Sequence, residues 1–444
     1  MIPYTSISIL TAILLSGCGS SPSSTESSSV VPGNNSTPQT AYIAYSPTVT
    51  QRIDKLYKTD GTPANTLEVA NTVLPTTTVD YSKIEAFTTH GSYLYMDHVE
   101  GLGDLLQSAK STIIKMDLGS EAVSSTSLTA TAMQNKNSQV KHITSFGMYS
   151  FRQQPTPNAI GLRDIVKVTS NGTEISVNNS TGFYPHMFSF SAQLNDLIFF
   201  GAGDGSGVYT ILQLDTSTDT LSMLPSLPTN FFVTGMIGYN GILYIGGSDS
   251  LNTLSSNLIA YDPSTTSITP IANYGSDMPS DFYAFNGRIY YLASQTVGDE
   301  GLYSIDPANP STAPIRHGTV PSAPFHGYTV YNGTLYCVSQ NQLYKIGNTP
   351  NSVSPVLPNT LDDGIIYTAN NKLYFAARDA ANGLELWQYD GTTASMVLDI
   401  NQGAGDSTPR HITELNGNIV FQATPDGATN KLYTWDGTTL TVLY

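Results

Sequence analysis

The sequence predicts an all-β protein, a β-propeller of eight or nine four-stranded blades, on three observations. A hairpin motif with a tight turn at each end recurs nine times along residues 41–444. The residues marking its second turn are spaced 41 to 57 positions apart. The composition, 27 Tyr, 37 Gly and 25 Pro with only 12% charged residues, favours strands and turns over helices.

The first strand of the motif follows a turn and is rich in aromatic and branched residues. It reads HGSYLYM (90–96), FGMYSF (146–151), LNDLIFF (194–200), YNGILYIGG (239–247) and FNGRIYYLA (285–293), then YNGTLYCV (331–338), NNKLYFAA (370–377) and LNGNIVFQ (415–422). A ninth copy, AYIAYS (41–46), lacks the leading turn. Asn-Gly tolerates positive φ and starts a strand cleanly. The alternation after it puts Tyr, Ile and Leu on a buried face.

The second strand ends at Asp60, Asp117, Asn171, Asp215, Asp262, Asp306, Gly347, Asp390 or Asp436, with successive gaps of 57, 54, 44, 47, 44, 41, 43 and 46 residues. An Asp or Asn there accepts bonds from backbone N–H groups just ahead of it, as in an Asx-turn. A unit of this length, with weaker flanking strands, fits one propeller blade. Recurrence once per blade marks these as structural turn residues, since a catalytic residue is needed only once.

Residues 1–40 have a different character. The apolar run 7–15 (ISILTAILL) is too short to span a bilayer and suits the core of a secretion signal. Leu15-Ser16-Gly17-Cys18 follows it, and resembles the lipobox of bacterial lipoproteins, although MIPYTS before the run carries no Lys or Arg. That resemblance implies cleavage before Cys18, acylation of its thiol and amino group, and, with Gly19 next in line, anchoring in the outer membrane. Residues 19–40, nearly all Ser, Thr, Pro, Gly and Asn, form a tether whose ends average roughly 25 Å apart. The expected organisation is thus a signal peptide at 1–17, a lipidated cysteine and flexible tether at 18–40, and the propeller at 41–444.

KLYKTDGT (55–62), LELWQYDGT (384–392) and KLYTWDGT (431–438) resemble the ELWxxDGT repeat of bacterial surface and secreted proteins. The stretch around Gly246-Gly247 and Asp262-Pro263 is similar to a kelch blade. Both resemblances imply the propeller architecture and neither implies one activity.

A formal charge of −16 with no Lys/Arg cluster excludes nucleic acid as a partner and makes a lipid anchor the expected route to a membrane. Cys337, the other cysteine, lies in the apolar run Leu335-Tyr336-Cys337-Val338 and is expected in the core. The seven histidines (His90, His98, His142, His186, His317, His326 and His411) show no metal-ligand spacing, and there is no nucleophile elbow or phosphate loop. No metal, cofactor or catalytic residue is therefore assigned.

A ligand site in this architecture belongs at a channel mouth. The longest connections, 97–110, 152–163, 248–256 and 294–300, would line one with Asp97, His98, Glu100, Asp104, Arg152, Arg163, Asp249, Asp299 and Glu300. Three functions fit: a lipid-anchored envelope module that binds protein or glycan, a polysaccharide-acting lyase or hydrolase, and a surface adhesin.

Overall fold

The structure, a computed structural model, describes residues 13–15, 40–45, 52–53, 55–69, 81–101, 109–132, 142–153, 163–185, 191–225, 227, 230–248, 256–274, 277–294, 300–321, 325–356, 361 and 366–444. These residues form nine sheets in chain order, antiparallel but for one short parallel pair, and a single 3-10 turn, Pro63–Asn65, is their one helical element. Nine blades are thus present, the upper of the two expected numbers.

Blade 1 comprises Ile13–Leu15, Thr40–Tyr45, Lys55–Thr59 and Leu67–Glu68. Its first strand lies inside the apolar run read as a signal peptide, outside the expected propeller bounds of 41–444, so cleavage before Cys18 would leave this blade with three strands. Blade 2 comprises Tyr81–His90, Tyr93–Gly101, Ala109–Asp117 and Val123–Ala132. Its edge also pairs in parallel with Arg52–Ile53, sent across from within blade 1. Blade 3 holds His142–Thr144, Gly147–Gln153, Arg163–Val168 and Glu174–Ser176. In blade 4 the first strand is split into Tyr184–Pro185 and Ser191–Leu194, ahead of Leu197–Gly203, Tyr209–Asp215 and Thr220–Met223.

The remaining blades are regular. Blade 5 is Phe232–Tyr239, Ile242–Ser248, Ser256–Asp262 and Ser267–Tyr274, and blade 6 is Asp277–Phe285, Arg288–Ser294, Glu300–Ile305 and Ile315–Thr319. Blade 7 is Phe325–Tyr331, Thr334–Ser339, Gln342–Ile346 and Val353–Pro355. Blade 8 is Tyr367–Ala369, Lys372–Asp379, Gly383–Tyr389 and Ala394–Leu398, and blade 9 is Arg410–Leu415, Asn418–Ala423, Lys431–Trp435 and Leu440–Val442. First strands of adjacent blades approach one another, blade 4 to 5, 5 to 6 and 8 to 9, which places them nearest the axis.

The second and third strands are the buried centre of each blade. Their side chains alternate between the two sheet faces and meet those of the neighbouring blades, because one sheet cannot bury both faces alone. Phe199, Ile211, Leu243 and Ile245, for example, join blades 4 and 5 in one cluster. Cys337 is fully buried among Leu335, Tyr290 and Leu302, and burial pushes its thiol up to about 12.

The two kinds of turn lie at the same end of the ring. At the first, Asn240-Gly241, Asn286-Gly287, Asn332-Gly333 and Asn416-Gly417 all have positive φ, with Asn at 46 to 53° and Gly at 68 to 82°. This is the type I′ geometry whose twist matches that of the flanking strands. At the second, Asp60, Asp117, Asn171, Asp215, Asp262, Asp306, Asp390 and Asp436 each accept a backbone N–H from two residues ahead through Oδ1. A Ser or Thr hydroxyl usually doubles the bond, as Thr392 does to Asp390 at 2.7 Å.

Those bonds favour the ionised acid. The Thr393 N–H, then the Thr392 hydroxyl and N–H, hold the Asp390 carboxyl down to about 2, and Asp117, Asp215, Asp262, Asp306 and Asp436 are lowered by equivalent bonds. A lowered folded-state pKa gives stability that is present above the unfolded value of about 3.9 and lost as pH falls through the folded one. The midpoint of urea unfolding should therefore drop steadily between about pH 5 and pH 2. Asp390→Asn, which copies Asn171, should keep the turn and lose that site's pH dependence, whereas Asp390→Ala should lower the midpoint at every pH.

Polar latches cross the blade interfaces beside these turns. Tyr42 and Lys58 of blade 1 both reach Glu121 of blade 2, at 3.2 and 2.5 Å. Tyr149 and Lys167 of blade 3 reach Asp219 of blade 4 at 2.6 and 2.8 Å, with Lys167 also over the Tyr149 ring. In blade 2, Lys115 reaches the Gly172 carbonyl of blade 3 at 3.0 Å. The tyrosine and the lysine are cross-strand partners in blades 1 and 3, so one position recurs with one task.

The opposite end carries the blade-to-blade connections. Between blades 8 and 9, residues 399–409 fold onto blade 8, where Glu385 is fully buried. Its carboxylate accepts the Ile400 N–H at 2.9 Å, the Asn401 N–H at 3.2 Å and the Ser407 hydroxyl at 2.6 Å. Arg378 clasps Asp406 with two bonds of 2.8 and 2.6 Å above it.

The ring closes without a shared sheet. Ala41 and Ile43 of blade 1 pack on Leu415, Val420, Leu432 and Leu443 of blade 9. The Tyr444 ring lies 4.6 Å from that of the buried Tyr57, and Asn416 donates to the Asp60 carbonyl at 2.8 Å.

Candidate functional site

Strands nearest the axis are the least regular part of each blade. The first strand carries a register shift in blades 2, 5, 6, 7 and 9, between Glu85/Thr88, Val233/Gly235, Ser280/Tyr283, Phe325/Gly327 and Arg410/Thr413. A bulge re-aims the side chains around it and is favoured near sites. Two bulges hold non-glycine residues in the left-handed region, Asp281 at φ 51° and His411 at φ 55°. That conformation costs on the order of 1 kcal/mol, so surrounding structure must enforce it.

In blade 6 the bulge splits three consecutive side chains. Phe282 goes toward blade 5, stacking on Tyr291 and filling the space a Cβ at Gly235 would take. Tyr283 goes toward blade 7, where its ring stacks on Tyr328 at 5.1 Å and 25°. Phe325 meets Tyr328 edge-on at 5.0 Å. Asp281, between the two directions, keeps its side chain in contact with solvent.

The electrostatics of this patch are unusual. Asp281 is exposed, yet the strands beside it desolvate it in part and so raise its carboxyl, against a single hydrogen bond of 2.7 Å from the Ser280 hydroxyl. Tyr328 is pushed well above the ordinary phenol range, first by burial and further by the charges of Cys337 and Asp281. Its hydroxyl is buried and has no hydrogen-bond partner among the described residues. Tyr328 shares this lack of a partner with other buried groups of the fold, and what sets the patch apart is the left-handed, exposed Asp281 on the adjoining strand.

A second axial group joins blades 3 and 4. His142 Nε2 lies 3.0 Å from the Ser191 hydroxyl, and burial drops its imidazole to about 4, so it stays neutral at physiological pH. Among the described residues no three His, Cys, Asp or Glu side chains gather as a metal site would require.

The expected rim is arranged differently from the sequence reading. The hairpin of blade 2 continues to Gly101 and resumes at Ala109, so Asp97, His98 and Glu100 lie within a strand, paired with Ile113, Thr112 and Lys110. Arg152 and Arg163 are strand residues in blade 3, and Glu300 opens the third strand of blade 6. Backbone pairing outlasts the apolar alternation in these hairpins, because strand ends near a mouth can carry charge. Asp104, Asp249 and Asp299 lie outside the described residues, as do Cys18 and His186.

Other candidates are absorbed by the fold. His317 is fully buried, with Nε2 at 2.7 Å from the Ser304 hydroxyl and Nδ1 at 3.2 Å from the Thr349 carbonyl of blade 7. Asp204, in the Gly203–Gly207 loop, accepts the N–H groups of Ser206 and Val208 and the Ser206 hydroxyl. The turn residues Asp60 to Asp436 stand one per blade and each serves its own turn. Asp281 and its aromatic neighbours escaped the sequence reading. The adjacent pair Phe282-Tyr283, which breaks the alternation before Asn286-Gly287, was the available signal.

The fold and these axial strands define a nine-bladed propeller with an irregular inner wall. No protein-family model matches the chain, and no curated protein matches it. Among solved structures, the β-propeller domain of the trilobed protease of Pyrococcus furiosus aligns at TM-score 0.39 and 10% identity, over 83% of this chain and 97% of that one. A prolyl endopeptidase aligns at TM-score 0.44 and 11% identity, over 77% of this chain and 54% of that one. The acylaminoacyl peptidase of Pyrococcus horikoshii gives 0.40 and 10%, over 78% and 58%. The chain thus spans little more than half the length of these two peptidases, and likeness at this level carries no statement about activity.

Proposed function

We propose that the chain is a lipid-anchored binding module of the cell envelope, holding a protein or glycan partner at the axial end of its propeller. The observation that carries the anchoring is Leu15-Ser16-Gly17-Cys18, after an apolar run and before a Ser-rich tether. Acyl chains on Cys18 would each add about 0.8 kcal/mol per buried CH₂, enough together for durable attachment. Nine blades locked by side-chain packing make a rigid platform, and the bulged first strands present carboxylate, imidazole and aromatic groups near its axis. The likeness of the DGT turns to the ELWxxDGT repeat of surface and secreted proteins supports the same placement.

Cell fractionation of wild type and Cys18→Ala tests the anchor. Wild type should sediment with outer membranes, and the variant should appear in the soluble periplasmic fraction. A variant that still sediments with membranes refutes the lipid anchor. Crosslinking in intact cells, followed by capture, then tests for a partner.

A further inference from the structure

We propose that Asp281, Tyr283, Phe325 and Tyr328 form a receptor for a cationic side chain, a lysine or arginine presented by the module's partner. This rests on the binding-module reading and names the chemistry of its ligand.

Four features of the patch converge on a cation. Asp281 is an exposed carboxylate whose one hydrogen bond comes from its neighbour Ser280, and among the described residues no Lys or Arg pairs with it. The rings of Tyr283, Tyr328 and Phe325 stand together at 5.0 to 5.1 Å on the adjoining first strands of blades 6 and 7. Each keeps part of its surface open. A carboxylate beside aromatic rings attracts an ammonium or guanidinium through both charge and ring quadrupole.

The buried Tyr328 hydroxyl, close enough to feel the charge of Asp281, is left without a partner by the protein. The hydroxyl itself is enclosed, so a ligand meets the ring surfaces and the Asp281 carboxylate rather than this oxygen. Finally, Asp281 sits at φ 51° in a bulge of the first strand, with its side chain exposed. The net charge of −16 adds a long-range attraction for a basic partner.

The test is a titration of the full mature chain, residues 18–444 with Cys18→Ser, with small probes. These are Nα-acetyl-lysine methylamide, Nα-acetyl-arginine methylamide, and the neutral isostere Nα-acetyl-norleucine methylamide. Binding is read by NMR shifts of the tyrosine ring signals. The expected result is saturable binding of one or both cationic probes with Kd on the order of 1 mM, weakened by salt, and none of the norleucine probe.

Asp281→Asn keeps the shape and tolerates the left-handed backbone, so it should melt like wild type while binding the cation at least about tenfold more weakly, or about 1.4 kcal/mol. Tyr283→Leu should weaken binding further. No saturable shift with wild type, equal binding of norleucine, or unchanged binding by a folded Asp281→Asn would each overturn the proposal. If a crosslinked partner is captured equally by Asp281→Asn, the module still binds and only this site is refuted.

Discussion

Leu443→Ala should open the ring at its seam. Leu443 is 5% exposed and belongs to the cluster that, among the described residues, joins blade 9 to blade 1, with Ala41 and Ile43 on the far side. Its N–H also donates to the Leu432 carbonyl at 2.7 Å. Truncating a buried leucine costs about 2–5 kcal/mol, and the upper part of that range applies where the site cannot collapse. Here the cavity lies between two blades that no shared ladder holds together, so separation rather than collapse is the expected response. Deleting Leu443 and Tyr444 together also removes the ring that covers Tyr57.

Hydrogen exchange should therefore rise first in Thr40–Tyr45 and Arg410–Leu415, with blades 4 to 6 unaffected. The urea profile should broaden as the ring stops unfolding as a unit. Val442→Ala is the control, since Val442 is 44% exposed and a change there stays within about 0.5 kcal/mol. Equal behaviour of Leu443→Ala and Val442→Ala would show that closure lies elsewhere.

Glu385→Ala should be comparably severe for a different reason. It strands the Ile400 and Asn401 N–H groups and the Ser407 hydroxyl, all of which point at a carboxylate buried to 0% exposure. Each unmatched donor costs about 1–3 kcal/mol, giving an expected loss of about 3–5 kcal/mol after local relaxation. Exchange and proteolysis should increase in residues 399–409 before anywhere else. Adding Ser407→Ala should recover part of the loss, because one stranded group disappears. A variant with the wild-type urea midpoint would contradict this account.

The pH dependence has the opposite sign to that of the turn aspartates. Desolvation raises the Glu385 carboxyl despite the three bonds it accepts, so the folded state holds this proton more tightly than the unfolded one. Its contribution is greatest below the unfolded value of about 4.3 and declines as pH rises through the folded value. The penalty of Glu385→Ala should thus be larger at pH 4 than at pH 7.

The repeat was legible because its signals are local. Asn240-Gly241 and Asp262 each specify a turn through their own backbone preferences and need no distant partner to be read. Cys337 could be read as core from the apolar residues beside it. The inner wall is another matter. Asp281 gains its character from a bulge in the first strand of blade 6, and Tyr328, whose phenol its charge raises, lies 47 positions on in a different blade.

The same holds for Glu385, whose three donors come from the connection into blade 9. Its place in LELWQYDGT gives no hint that it is buried. The end of the blade 2 hairpin was misread for a third reason: pairing through Asp97 to Gly101 is made by backbone groups, which leave no trace in side-chain alternation.

Seven of the nine blades are built from single uninterrupted stretches of chain, and the exceptions are blades 1 and 2, joined by the stitch of Arg52–Ile53 onto Tyr81–Ser82. Such a ring is modular in its genetics as well as in its packing. Duplicating or deleting one stretch of about 45 residues changes the circumference by one blade without breaking a ladder. The chain could also be circularly permuted, with new ends cut between blades 5 and 6, and keep all its pairings. Blades 1 and 2 alone would have to travel together.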